Sequence, residues 1–176
     1  PASFRRKFAV RSVGENRRDD VERYVDNQVA SAEYADPAFE EILEDFTVGD
    51  TEVDLSEPAR TNSGRYWYSL HVVLAVRDRF PVGDREQLAA IREMCFRVAA
   101  AKGLRLSVMS MMPDHLHVAV GGDPAMSPEE VALAFMNNLA HAVGRAAFWE
   151  DSYYAGTFGE YDMDAVRTEF GRDEVA

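Results

Sequence analysis

His115 and His117 stand two apart in the run Met112-Pro113-Asp114-His115-Leu116-His117-Val118. On a strand, residues two apart leave the same face. Two imidazoles on one face can share a divalent ion. A bare His-x-His recurs by chance, and most such pairs are polar strand residues; here the pair directly follows a Pro-Asp turn. Near the other end of the chain, Tyr24 and Gln28 are four apart, which puts them on one helix face a turn from each other. A phenol titrates near about 10, so it is a poor nucleophile unless its target is activated or its anion stabilised. A metal can do this by polarising a phosphate oxygen and orienting the scissile bond. An amide oxygen on the same helix can be a third ligand. Two strand histidines, a helix Gln and a helix Tyr thus form a self-consistent phosphodiester-cleaving set. Taken singly, without further context, Tyr24 reads rather as a partly buried helix aromatic, and Gln28 as a solvated residue near a helix end.

The elements that must position these residues are legible in the periodicity. The run 66–77 is rich in aromatic and β-branched residues and predicts a long strand. Asp84 can cap a helix reaching Lys102, with Leu88, Ile91, Met94, Cys95 and Val98 on one face and Gly103 as its stop. Residues 104–112 alternate as a strand, and 115–120 form another, closed by Gly121-Gly122. Ser127 caps a second helix, with Pro128 at its first position and Glu129 and Glu130 in its first turn; it is predicted to run to Phe148. A last strand covers 152–158. The order βαββαβ predicts an α+β, ferredoxin-like fold: an antiparallel sheet with both helices on one face. His71 on the first strand and His141 in the second helix read as structural, and Tyr153 and Tyr154 as core residues of the last strand.

Composition bounds the function. The chain has 176 residues, 47% of them hydrophobic, enough for one domain with a real core. No apolar run reaches the roughly 18 residues of a membrane span, so no membrane partner is expected. The first residues, Pro1 to Arg6, lack the apolar stretch of a secretory signal. Cys95 is the single cysteine, which excludes an intrachain disulfide framework. Together these predict a cytoplasmic protein. Acids outnumber bases 31 to 19, and only Lys7 and Lys102 are lysines. Such a surface fits a halophile with a salty cytoplasm, or an acidic mesophile protein. Net charge does not exclude nucleic acid, because local distribution decides phosphate binding. Residues 29–64 carry ten acids and one base and show little periodicity. They read as an acidic connector, with one short helix at 37–45, between an N-terminal strand-helix element (1–28) and the main domain (65–176).

An internal repeat links the two ends. Shifted by 145 residues, 8–28 aligns with 153–173 without a gap: Ser12-Val13-Gly14-Glu15 falls on Thr157-Phe158-Gly159-Glu160, Asp19 on Asp164 and Val21 on Val166. Both copies read as strand, glycine turn, helix. The first carries Tyr24 and Gln28; the second has Glu169 and Asp173 in their places.

These residues resemble a family. The strand Tyr68-Ser69-Leu70-His71-Val72-Val73-Leu74-Ala75-Val76, the His115-Leu116-His117 motif, and Ser12-Val13-Gly14 followed by the helix holding Tyr24 and Gln28 are similar to segments of the IS200-like single-strand tyrosine transposases of the HUH superfamily. The order departs from theirs, in which the Tyr helix follows the last strand. The resemblance implies cutting and rejoining of single-stranded DNA through a 5′-phosphotyrosine on Tyr24. It implies Mg²⁺ or Mn²⁺ held by His115, His117 and Gln28, hairpin-containing element ends as substrates, and a homodimer. Arg5, Arg6, Lys7, Arg11, Arg17 and Arg18 are candidates for gripping the strand, with Tyr66 or Trp67 able to stack on bases. A relative that binds hairpins without cutting them, or an unrelated protein sharing only the fold, would show the same architecture.

Overall fold

Alternation along the strands gives the central sheet two unlike faces, and this decides where the chemistry can sit. A computed structural model describes residues 8–32, 37–62 and 64–161. Arg5, Arg6 and Lys7, and the helix of the second repeat copy with Glu169 and Asp173, lie outside the described residues. In chain order the elements are β1 (Phe8–Arg11), α1 (Arg18–Asp26), α2 (Gln28–Ser31), α3 (Pro37–Glu44), β2 (Val48–Gly49), β3 (Ala59–Arg60), β4 (Gly64–Trp67), β5 (Ser69–Val76), α4 (Arg85–Lys102), β6 (Arg105–Met111), β7 (His115–Gly121), α5 (Pro128–Ala142) and β8 (Trp149–Phe158).

The main sheet has the order β2-β6-β7-β5-β8 and every pairing in it is antiparallel. Strands β5, β6, β7 and β8 with α4 and α5 are the expected ferredoxin-like set. Leu70, Val72, Leu74, Leu116, Val118 and Val120 point to one face and are buried with Leu88, Ile91, Cys95, Phe135 and Leu139 of the two long helices. Capping is as the sequence indicates. The Asp84 side chain accepts from Glu86 N at 3.1 Å, and Ser127 and Glu130 form a reciprocal capping box. Burial raises the Cys95 thiol pKa, so this residue acts as a small apolar core group.

Three boundaries differ from expectation. The strand predicted over 66–77 breaks at Tyr68, because the chain there leaves one sheet for another. β4 pairs with β1 and β3 in a small separate sheet, and β5 enters the main one. Helix α5 ends at Ala142 rather than Phe148, since Gly144 takes a left-handed φ of 69°. β8 accordingly begins at Trp149. Segment 29–64 is not a loose connector. α3 is the short helix expected there, and β2 adds an edge strand to the main sheet through Val48↔Met109 and Gly49↔Val108. Leu43, Phe46 and Leu55 are buried while Glu41, Glu44 and Asp45 remain exposed, which is why its composition reads as solvated.

The N-terminal element docks on the face of the sheet opposite α4 and α5. Val21 and Val25 of α1 are buried with Leu55, Val108, Ala119 and Phe158 in a second, smaller core. The two repeat copies cross where this element meets β8, and the crossing is reciprocal. Ser12 Oγ donates to Phe158 O at 2.6 Å, and Thr157 Oγ1 donates to Val13 O at 2.7 Å. Under the 145-residue shift each bond maps onto the other. Gly14 abuts the Thr157 carbonyl so closely that a Cβ would overlap it, and Gly159 abuts the Ser12 carbonyl in the same way. Arg18 N then donates to Gly159 O at 2.7 Å as α1 begins. The crossing thus sets where α1 starts.

Candidate active site

Strand register assembles the site on the face that α1 covers. Val73 pairs with both His117 and Tyr154, and His117 also pairs with Ser110. These four side chains therefore form one row across the sheet. The next row holds Val108, Ala119, His71 and Gly156. Helix α1 lies over both rows. It seats Val21 and Val25 on the second core, and its next exposed position is Tyr24, 53% accessible.

The structure brings Tyr24 and the paired histidines together within one chain. The Tyr24 ring centroid is 5.5 Å from that of His117, edge-on, and 6.1 Å from that of His71. His115 and His117 rings are 4.8 Å apart. A cavity of about 480 Å³ opens beside them, lined by Asn16, Asp20, Tyr24, His71, His117 and Tyr154, among others. Gln28 is buried. Its Nε2 donates to Tyr24 O at 3.0 Å, a turn back along the chain, which leaves Oε1 as the atom of that amide suited to a cation.

Each of the paired histidines has its Nδ1 occupied. His115 Nδ1 lies 2.6 Å from Asp114 Oδ1, and Arg79 Nη1 donates to the other carboxylate oxygen at 3.1 Å. His117 Nδ1 lies 3.0 Å from His71 Nε2, and the two rings stack at 16°. Nε2 of His117 is buried with no hydrogen-bond partner. An orphaned imidazole nitrogen next to a second imidazole suits a divalent ion better than it suits an apolar wall. The residues present therefore fit the Mg²⁺ or Mn²⁺ that the resemblance implies.

Burial lowers the His117 pKa to about 3, with the neighbouring His115 and His71 adding to the effect, and burial lowers that of His71 to about 4. Both rings are therefore neutral at neutral pH, as metal ligation requires. In the metal-free protein the unfolded chain takes up protons near about 6.5 while the folded one does not. Stability from these two groups is present above that pH and is lost as the pH falls toward 4. The urea midpoint of the metal-free protein should drop through this window, and the drop should be smaller in His117→Asn, measured side by side.

His71 and Tyr154 correct the sequence reading. The sequence pattern alone makes His71 structural and Tyr154 a core residue. Instead His71 contacts His117 directly, and Tyr154 is 54% exposed with its ring 5.7 Å from that of His71. The period-two alternation of β5 does place His71 on the face opposite Leu70 and Val72; the pairing of β5 with β7 and β8 is what makes it a neighbour of the site. His141 is exposed in the last turn of α5, far in the fold from this face.

Among the described basic candidates, Arg11 and Arg18 are held in ion pairs. Arg11 pairs with Glu160 and lies 3.7 Å over the Trp67 ring. Arg18 reaches Asp19 at 2.5 Å, Glu22 at 3.5 Å and Asp54 at 3.9 Å, and these acids raise its pKa against a lowering by desolvation. Both tie the N-terminal element down. Arg17 caps the start of α1 through its carbonyl, which accepts from Asp20 N and Val21 N. Trp67 is held by Arg11 on its ring and by its own bond to Ser56 O at 2.6 Å, while Tyr66 and Trp67 line a second cavity of about 590 Å³ with Arg11, Met126 and Pro128. No helix among the described residues is long and apolar enough to cross a membrane.

A ferredoxin-like sheet thus carries a His-x-His pair on one face, roofed by a helix bearing an exposed tyrosine. Residues 65–168, more than half of the chain, match the family model described as transposase, IS200 like. The chain belongs to that family, the Y1 transposases, and is a transposase-like protein acting on DNA. Tyr24 and Gln28 lie outside the matched residues. The fold is similar to the crystal structure of a candidate transposase from Deinococcus radiodurans, with 19% identity and a TM-score of 0.51, covering 65% of this chain and 97% of that one. A lesser similarity, with 14% identity and a TM-score of 0.43, covers 58% of this chain and 61% of a REP-associated tyrosine transposase bound to a REP hairpin. No curated protein sequence matches the chain.

Proposed function

We propose that this protein cuts and rejoins single-stranded DNA with Tyr24 as nucleophile, its own His115 and His117 completing the site. The observation that carries this reading is the 5.5 Å approach of the Tyr24 ring to that of His117 in one chain. The Tyr24 oxygen attacks the scissile phosphorus, the phenolic proton passing to water at this half-exposed position. The bond from phosphorus to the 3′ oxygen breaks, and that oxygen leaves as a 3′-hydroxyl once protonated. The product is a 5′-phosphotyrosine, whose formation conserves the energy of the broken bond, so a second 3′-hydroxyl can reverse the step and join a new strand without ATP. His115 and His117, each through Nε2, would hold Mg²⁺ or Mn²⁺, with Gln28 Oε1 as the third ligand. When bound, the ion supplies charge stabilisation and orientation at the scissile phosphate. Strand β7, paired with β5 on one side and β6 on the other, holds the two imidazoles in place, so the site needs little reorganisation. Tyr154, exposed beside His71, offers a face on which a base next to the scissile phosphate can stack.

Purified protein with Mn²⁺ and hairpin-containing single-stranded DNA should yield a covalent adduct that survives denaturing electrophoresis. Failure to form one on any hairpin at any metal concentration would leave a DNA-binding relative without cleavage. Because one chain supplies both tyrosine and histidines, the chemistry needs no helix exchange, whether or not the protein forms a homodimer. Mixing Tyr24→Phe with His117→Ala should therefore restore no adduct. Recovery of adduct in the mixture, absent from either variant alone, would mean that the tyrosine serves a partner's histidines.

A further inference from the structure

We propose that His71 is a positioning residue of this site: by accepting a hydrogen bond from His117 Nδ1 it fixes the proton on that nitrogen and keeps His117 Nε2 as a lone-pair donor. This rests on the metal-assisted reading above. A neutral imidazole that ligates through one nitrogen must carry its proton on the other. For His115 the matter is settled by Asp114, since a carboxylate only accepts and the 2.6 Å contact is to Nδ1. For His117 the same position is taken by His71, whose Nε2 lies 3.0 Å away.

Two proton arrangements satisfy that contact, and they differ in what they strand. If His71 donated, neutral His117 would carry its second proton on Nε2. That N–H would be buried with no acceptor, a costly arrangement. If His117 donates, Nε2 bears only a lone pair, and His71 carries its own proton on Nδ1. His71 lines the cavity beside Tyr24, where water can accept that proton's hydrogen bond. The second arrangement is also the only one that permits ligation. His71 sits on β5, one row from His117 across the sheet, so strand pairing rather than a mobile loop holds the acceptor in place. The site is thus symmetric in logic: Asp114 orients one histidine and His71 the other.

Long-range proton–nitrogen correlation spectra of the metal-free full chain read the tautomer directly. His117 should be protonated on Nδ1 in the wild type. His71→Leu removes the acceptor and should raise the Nε2–H population. His71→Gln restores an acceptor oxygen and should keep Nδ1–H. Mn²⁺ affinity, followed by electron paramagnetic resonance, should fall about 10- to 100-fold in His71→Leu and recover largely in His71→Gln. A wild-type His117 protonated on Nε2, or an unchanged Mn²⁺ affinity in a folded His71→Leu, would overturn the proposal. So would equal losses in the two variants, which would point to ring packing. If His71→Leu does not fold, the wild-type spectrum and the Gln variant decide. Failure of the parent reading looks different: the tautomer and the Mn²⁺ affinity hold, yet no DNA adduct forms.

Discussion

Tyr24→Phe should form no detectable adduct with single-stranded DNA, a loss on the order of 10³-fold or more, as deletion of a nucleophile produces. The change removes one oxygen from a half-exposed ring. Stability should shift by no more than about 0.5 kcal/mol, so urea unfolding separates a chemical defect from a folding one. Tyr154→Phe is the sharp control, because Tyr154 lines the same cavity from the β8 side. It should leave the adduct in place, and at most weaken DNA binding, since a phenylalanine ring still stacks. Tyr153→Phe should also keep the adduct. If Tyr154→Phe lost the adduct and Tyr24→Phe kept it, the nucleophile would be on the strand and the N-terminal helix would only be a roof. The assays should span salt concentrations, because phosphate contacts weaken steeply as salt rises.

A side chain at Gly14 should be among the most destabilising single changes available in this chain. A Cβ there would overlap the Thr157 carbonyl, a backbone atom that cannot turn away. Gly14→Val should cost more than about 3 kcal/mol, in the range reserved for severe steric conflicts. Gly159→Val meets the Ser12 carbonyl and should cost a similar amount. The two glycines belong to one reciprocal crossing, so the double variant should cost clearly less than the sum. Additive losses would show that the two contacts are independent. Because Arg18 N is held by Gly159 O at the first turn of α1, either variant should also speed amide exchange along α1 and reduce adduct yield in proportion.

Much of this was legible from one-dimensional patterns. The period-two runs at 104–112 and 115–120 and the capped helices behind Asp84 and Ser127 indicate the ferredoxin-like order, since alternation and caps are local properties. The two-residue spacing of His115 and His117 put both on one face, and the four-residue spacing of Tyr24 and Gln28 put both on one turn of chain. The match of Ser12-Val13-Gly14 to Thr157-Phe158-Gly159 was visible too, though not that the copies touch. The acidic stretch before β4 misled, because its exposed carboxylates mask the few apolar residues, Leu43, Phe46 and Leu55, that pin it to the sheet.

The residue types and their spacing determined which groups could do chemistry: a phenol, two imidazoles and an amide, each on an element that local forces suffice to form. Only the tertiary structure decided that they meet. An N-terminal helix reaches histidines some ninety residues away because the two repeat copies lock through paired hydroxyl–carbonyl bonds and bare glycines. His71 joins the site because β5 pairs beside β7. Both are long-range pairings, and nothing within a window of a dozen residues encodes which distant backbone a strand or a turn will find.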